Sequence, residues 1–353
     1  MKKQGLISFI AAFAAIIICF LLIADSGGAA EAAKRSITVC LSVIIPSLFA
    51  FMVFSQVIIK CGIADLLFYP LYKISFWFKG SRREFSIFML SLIGGYPVGI
   101  KLLKEYIAYN KNYSEIAAKM LCYCYCGSPS FIIQIAGITV LGSFKAGLLV
   151  YLSNAAACFS ACIIINLFEK TGVNFKEGRA AAPLKLKMTD FTESIGDSVR
   201  ALGIICGTIL AFNIFLELIR FIGFNSLLEN TGIEKIIAAA FEISNISMLA
   251  ERNFGMLPVI SALTSFGGIC ILIQTAALSK GEIPLKSFIL ARFPIALLSA
   301  AFTCLFMKLF PISIESSVSN AAVAVSSEVN PIVTACLVIM TLILIKDIEK
   351  TKS

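Results

Sequence analysis

The stretch Ser91-Leu-Ile-Gly94-Gly95-Tyr96-Pro97-Val-Gly99-Ile-Lys101 decides how this chain is read. It sets three glycines, a proline and a lysine inside sequence otherwise apolar enough to lie in a bilayer. Lipid cannot satisfy the N–H and C=O groups of a broken helix, so such a break must be buried in protein or line a wet cavity. Breaks of this kind are where transporters hold their substrates.

The surrounding sequence agrees. Of 353 residues, 59% are hydrophobic and 14% charged, against about 25% charged in a soluble domain. This predicts an all-α polytopic membrane protein. Uncharged runs cover residues 5–24, 36–59, 121–144, 146–168, 201–216, 253–279, 293–307 and 329–345, and a crossing needs roughly 20 residues. The shorter run 85–100 and the Gly/Pro-interrupted run 121–144 suit a re-entrant hairpin or a discontinuous helix better than a simple span.

The apolar stretch 5–24 is longer than the 7–15 residues of a signal-peptide core, which favours an uncleaved first helix. Lysines beside it keep the N-terminus inside. Basic residues recur at Lys79, Arg82 and Arg83, between Lys170 and Lys187, and at Lys346, Lys350 and Lys352. Placing all of these in the cytoplasm predicts an even number of crossings with both ends inside. The net charge of +9 is then topological, and no nucleic-acid partner is expected. Membrane lipid is the expected surrounding, and the sequence leaves homo-oligomer formation open.

Besides the cluster at 122–126, eight of the twelve cysteines lie in apolar runs, where a thiol behaves as a small hydrophobe. Cys122-Tyr-Cys124-Tyr-Cys126 is a poor chelate, because on a helix Cys124 faces away from the other two. The chain contains no histidine and no phosphate-binding loop, so neither a metal, a cofactor nor a standard hydrolytic or nucleotide-driven enzyme is expected.

Two halves echo one another. Residues 46–58 can be laid over 207–219, and 127–134 over 267–274, while the break at 94–99 falls opposite 242–246. Paired interruptions of this kind point to a binding site at a repeat interface. The expected organisation is a first transmembrane helix and loop (1–35), repeat one (36–168), a polar cytoplasmic linker (169–195), repeat two (196–310), and a C-terminal helix and tail (311–353).

The ordered set Gly-Gly-Tyr-Pro-Val-Gly-Ile-Lys, Cys-Gly-Ser-Pro-Ser-Phe-Ile-Ile, Phe-Glu-Ile-Ser, Ser-Phe-Gly-Gly-Ile-Cys-Ile-Leu-Ile-Gln and Ala291-Arg-Phe293 resembles the YlbJ (SpoVV) family of sporulation integral membrane proteins. That family lies within the wider group carrying the nucleoside-recognition, or Gate, domain. The chain departs from the family pattern at Val98 and Ile269. The resemblance implies two repeats of inverted topology with re-entrant hairpins or broken helices, related to concentrative nucleoside transporters. It also implies movement of dipicolinate from the mother cell across the outer forespore membrane.

The expected binding residues cluster at the breaks. Gly94, Gly95, Tyr96, Pro97, Gly99 and Lys101 belong to the first, and Gly127, Ser128, Pro129 and Gln134 to the second. Glu242, Ser244 and Asn245 follow, then Gly267, Gly268 and Gln274, and finally Arg292. Helix starts at Gly127 and Gly267 present free N–H groups to an anion. For a small organic anion such as dipicolinate, Lys101 or Arg292 supplies charge and Tyr96 or Phe131 a stacking face. Plainer roles stand beside these. Lys101 can snorkel to an interface, Arg292 can mark a helix end, the glycines can permit close packing, and Gln134 and Gln274 can bridge helices. Glu242 is open to two roles, a structural partner or a coupling group. A nucleoside carrier and a non-transporting sporulation scaffold are the competing functions.

Overall fold

The computed structural model describes residues 2–75, 77–109, 113–168, 187–223, 233–249 and 253–310. Every regular element among them is helical. Helix α1, Lys2–Ala24, has 23 residues, about 34 Å at 1.5 Å per residue, enough for a hydrocarbon core of about 30 Å. Phe13, Phe20 and Ile23 on it are exposed, as lipid contact requires. The chain then bends by 97°. Residues 25–35, expected as a loop, are instead largely helical, because the Asp25 carboxylate accepts from Gly28 N at 3.1 Å and caps α2, Ser26–Val39.

Helix α2 runs through a π-helical stretch, Cys40–Ile44, into α3, Ile45–Lys60. Pro46 in the first turn of α3 has no N–H to donate, and the ladder widens beside it, with Ile45 N bonding Cys40 O. Two short helices follow, α4 (Ile63–Leu67) and α5 (Tyr69–Ile74). Far along the chain, α11 (Met188–Phe221) pairs antiparallel with the α2–α3 run. The order of contacts shows this: Arg35 with Glu217 at 3.1 Å, Ser36 with Asn213 at 2.9 Å, Gln56 with Ser198 at 3.1 Å, and Lys60 with Glu193 at 3.4 Å. From Arg35 to Lys60 the rise is about 37 Å, longer than a hydrocarbon core of about 30 Å. Helix α11 also begins well before the uncharged run at 201. The charges at Asp190, Glu193, Asp197 and Arg200 conceal its first turns from a hydropathy reading.

Helices α6, Arg82–Gly94, and α7, Tyr96–Tyr109, form a hairpin. Ser81 and Glu84 make a reciprocal capping box at its start. Tyr106 donates to the Glu84 carboxylate across the open end, which places residues equidistant from Gly95 side by side. The arms have 13 and 14 residues, about 20 Å each. That is too short to cross, so the hairpin ends inside the protein at Gly94–Tyr96.

Helix α8, Ser114–Tyr123, stops at an irregular segment, and the chain restarts as α9, Pro129–Phe131, continuing into a π-helical stretch, Ile132–Val140. Helix α10, Phe144–Phe168, packs on that stretch through Gly137 and Gly147. A Cβ on Gly137 would come within 2.6 Å of the Gly147 Cα, the close approach that small residues allow between membrane helices. Helix α12 (Ile233–Phe241) leads into a 3₁₀ segment, Ile243–Leu249. Helices α13 (Leu257–Phe266) and α14 (Gly268–Ser279) form one interrupted span, and α15 (Lys286–Leu309) closes the bundle. Among the described residues, four helices are long and apolar enough to cross a membrane, or five with the bent pair. This is an all-α integral membrane protein. The expected span 329–345 and the linker residues 169–186 lie outside the described residues.

Candidate functional site

Each break is a point where a helix stops with its last carbonyls unpaired. The carbonyls at the end of α8 are met by Arg292, which donates to Cys122 O and, at 3.3 Å, to Tyr125 O. Its guanidinium lies 4.6 Å from the Tyr125 ring centroid and 5.0 Å from that of Phe288, and the residue is 0% exposed. The carbonyls at the end of α13 are met by two tyrosines. Tyr96 donates to Thr264 O, and Tyr125 to Phe266 O at 3.3 Å. The two rings pack with centroids 4.8 Å apart and planes tilted by 53°. Tyr125 thus joins both interruptions, and nothing local in the sequence singled it out.

The glycines at the breaks are demanded by backbone approach. Gly95 has φ of 88°, and a Cβ on it would lie 2.8 Å from Ser128 N. The tip of the α6–α7 hairpin therefore sits directly on the start of α9. Gly268 has φ of 80°, and its Cβ would lie 3.3 Å from Phe241 O and from Ile243 N. The α12 break therefore sits on the start of α14 in the same manner. Further packing crosses over, with α7 against α14 and the 3₁₀ segment against the π-helical stretch 132–140.

Between these four breaks lies an inner cavity of about 40 Å³, room for a few waters at about 10–15 Å³ each. Gly95, Tyr96, Pro97, Ser128 and Phe131 line one side, with Glu242, Ile243, Ser244, Ile271 and Gln274 opposite. Ile44 and Leu48 from the α2–α3 run and Ile205 and Ile209 from α11 complete the wall. Glu242 is 1% exposed. Its Oε1 accepts from Ser244 N at 3.0 Å, while Oε2 has no hydrogen-bond partner among the described residues. A carboxylate buried in this way needs a proton, a cation or a donor group beside it. No lysine or arginine lines the cavity among the described residues.

The other expected site residues are placed elsewhere. Lys101 approaches Ser198 Oγ at 3.4 Å, beside Gln56 and near the Lys60–Glu105 pair, at the far end of the α2–α3 run from Arg35. Gly94 packs on the Phe51 ring, Gly99 on Cys124 O, and Gly267 on the Tyr125 hydroxyl. Gly127 lies behind the Tyr96 hydroxyl, and Pro129 opens α9. Gln134 is exposed, whereas Asn245 lines a separate outer chamber.

A second polar cluster was not foreseen. Asn154 on α10 donates to Thr264 Oγ1 at 2.9 Å and accepts from Ser261 at 3.1 Å and from Ser299, while Ser261 and Ser299 lie 2.7 Å apart. This knots α10, α13 and α15 through buried side chains, and such bonds contribute about 0.6 kcal/mol each on average in membrane proteins, up to about 1.7. Asn154→Leu is expected to lower the thermal unfolding midpoint of the purified protein by that order of stability. An unchanged midpoint would show the cluster to be incidental. Comparison of this chain with protein-family models, curated protein sequences and solved structures finds no match.

Proposed function

We propose that this protein is a membrane transporter or facilitator of a small organic anion, with dipicolinate the expected solute. The observation that carries the reading is the small inner cavity at the meeting point of four helix breaks. Ligand pockets are usually about 300–1,000 Å³, so a cavity of about 40 Å³ must widen to admit this solute.

The register of the two halves supports a repeat interface. With Pro46 laid over Gly207, Ile44 falls on Ile205 and Leu48 on Ile209. With Gly127 over Gly267, Phe131 falls on Ile271. All six of these isoleucine, leucine and phenylalanine positions line the cavity. The equivalent runs α2–α3 and α11 are antiparallel, as inverted repeats require. Ser128, Ser244 and Gln274 offer hydrogen bonds to a carboxylate, and Phe131 and Tyr96 offer flat faces to a ring. A proton on Glu242 would remove the repulsion between its carboxylate and an anionic solute and turn its free oxygen into a hydrogen-bond donor.

A nucleoside carrier is the second reading. Its support is the unpartnered Glu242 oxygen in a cavity without lysine or arginine, which suits the hydroxyl and amine donors of a neutral solute. Flux of labelled dipicolinate and of uridine into vesicles containing the purified protein separates the two. Saturable dipicolinate flux is expected. Glu242→Gln is expected to reduce it about tenfold or more and to remove its dependence on pH or cation. Uridine flux alone would replace the first reading with the second, and flux of neither would leave a scaffold.

A further inference from the structure

We propose that an outer chamber beside the Ser244–Asn245 turn is a second binding site, one that takes a small soluble dicarboxylate. The chamber measures about 450 Å³, within the usual range for a small-molecule site, roughly 300–1,000 Å³. It therefore has the room that the inner cavity lacks. Ser244 lines both spaces, so one turn of backbone separates them.

The charges in the chamber are arranged for a carboxylate. A single oxygen, Oε2 of Glu217, lies 3.1 Å from a terminal nitrogen of Arg35 and 3.5 Å from one of Arg220. One internal carboxylate thus occupies the space between two guanidiniums, each of which has the planar fork that binds carboxylates two-pronged. Glu234 takes a further contact with Arg220 at 3.4 Å. Lys34, also in the lining, makes no ion pair among the described residues. Three cations and two carboxylates, Glu31 and Glu217, line the chamber. The inner cavity has no such cations among the described residues. A chain of side-chain bonds from Ser36 through Asn213 to Asn245, each 2.9 Å, leads from the arginines to the turn at Ser244. A dicarboxylate can displace Glu217 with one end and reach Lys34 or the amides with the other. The proposal rests on the transport reading for what the ligand does next, and not for whether it binds.

Binding of dipicolinate to the purified full-length protein in phosphatidylcholine nanodiscs tests this, with the monocarboxylate picolinate as comparison. Arg35→Gln is expected to weaken dipicolinate about tenfold or more. Glu217→Gln is expected to tighten it several-fold, because the internal competitor is removed. An ion pair that serves only the fold predicts the opposite pattern, lower stability in both variants with unchanged affinity, and that result would overturn the proposal. Should either variant fail to fold, Thr38→Cys in a chain whose exposed Cys19 and Cys304 are replaced by Ser keeps the test open. Thr38 is exposed and lines the chamber, so dipicolinate should slow its modification by an anionic thiol reagent, and absence of protection would sink the site. If Glu217→Gln alters only the retention of phosphatidylglycerol, the chamber belongs to a lipid headgroup and the proposal is wrong. Binding that follows Arg35 and Glu217 without vesicle flux would keep the chamber and remove the transport reading. Flux that persists with affinity unchanged in both variants would do the reverse.

Discussion

Gly95→Val is expected to abolish transport and to lower the yield of folded protein in the membrane. Gly95 combines φ of 88° with ψ of −176°, a region essentially confined to glycine, where another residue costs about 1–3 kcal/mol. The added Cβ would also meet Ser128 N at 2.8 Å and Ser128 Cβ at 2.9 Å. The first of these neighbours is backbone and cannot rotate away. Relief would require the hairpin tip to withdraw from the start of α9, which opens the inner cavity on one side. The control is Gly207→Ala, because nothing lies within 4 Å of a Cβ there and alanine favours a helix interior by about 0.5–1 kcal/mol over glycine. That variant should fold and transport at least as well as the native chain. Native flux in Gly95→Val, with an unchanged unfolding midpoint, would show that the hairpin tip takes no part in the site.

Arg292→Gln should be the most destabilising single change among the buried polar residues. The guanidinium supplies both bonds to the carbonyls of Cys122 and Tyr125 and lies against two aromatic rings. Hydrogen bonds from a charged donor contribute about 1.5–3 kcal/mol each, and burying the charge offsets part of that gain. A net loss of about 3 kcal/mol is the expectation. Arg292→Lys should recover little, since the compact ammonium lacks the planar spread that holds both carbonyls while lying flat on a ring. The measurement is thermal unfolding together with dipicolinate affinity below the transition. A lowered midpoint with intact affinity fits the helix-end role. Intact stability with lost affinity would move Arg292 into the site.

The membrane class, the hairpin tip at Gly94–Tyr96 and the prominence of Glu242 were readable from the chain itself. Each depends on a local contradiction, a glycine pair, a proline or a charge in apolar surroundings, and the bilayer makes such contradictions costly wherever the helix packs. Ser128 was readable for the same reason. The partners were not. Arg292 finds its acceptors 170 and 167 residues away, and Asn154 sits in a stretch whose composition resembles any other membrane helix, while Tyr125 takes its role only through residues 141 and 167 positions along the chain.

Lys101 shows the limit most clearly. Its sequence position beside the first break suggested the cavity, but α7 carries it towards Ser198 and away from the inner cavity, because a helical arm moves each successive residue about 1.5 Å from the tip and 100° around the axis. In soluble helices the contrast between apolar and polar faces announces which side is buried. A membrane helix is apolar towards lipid and towards protein alike, so its sequence determines that it crosses and where it breaks. Which faces meet, and hence which polar groups share a cavity, is decided only when the unpaired carbonyls and side chains of distant helices satisfy one another.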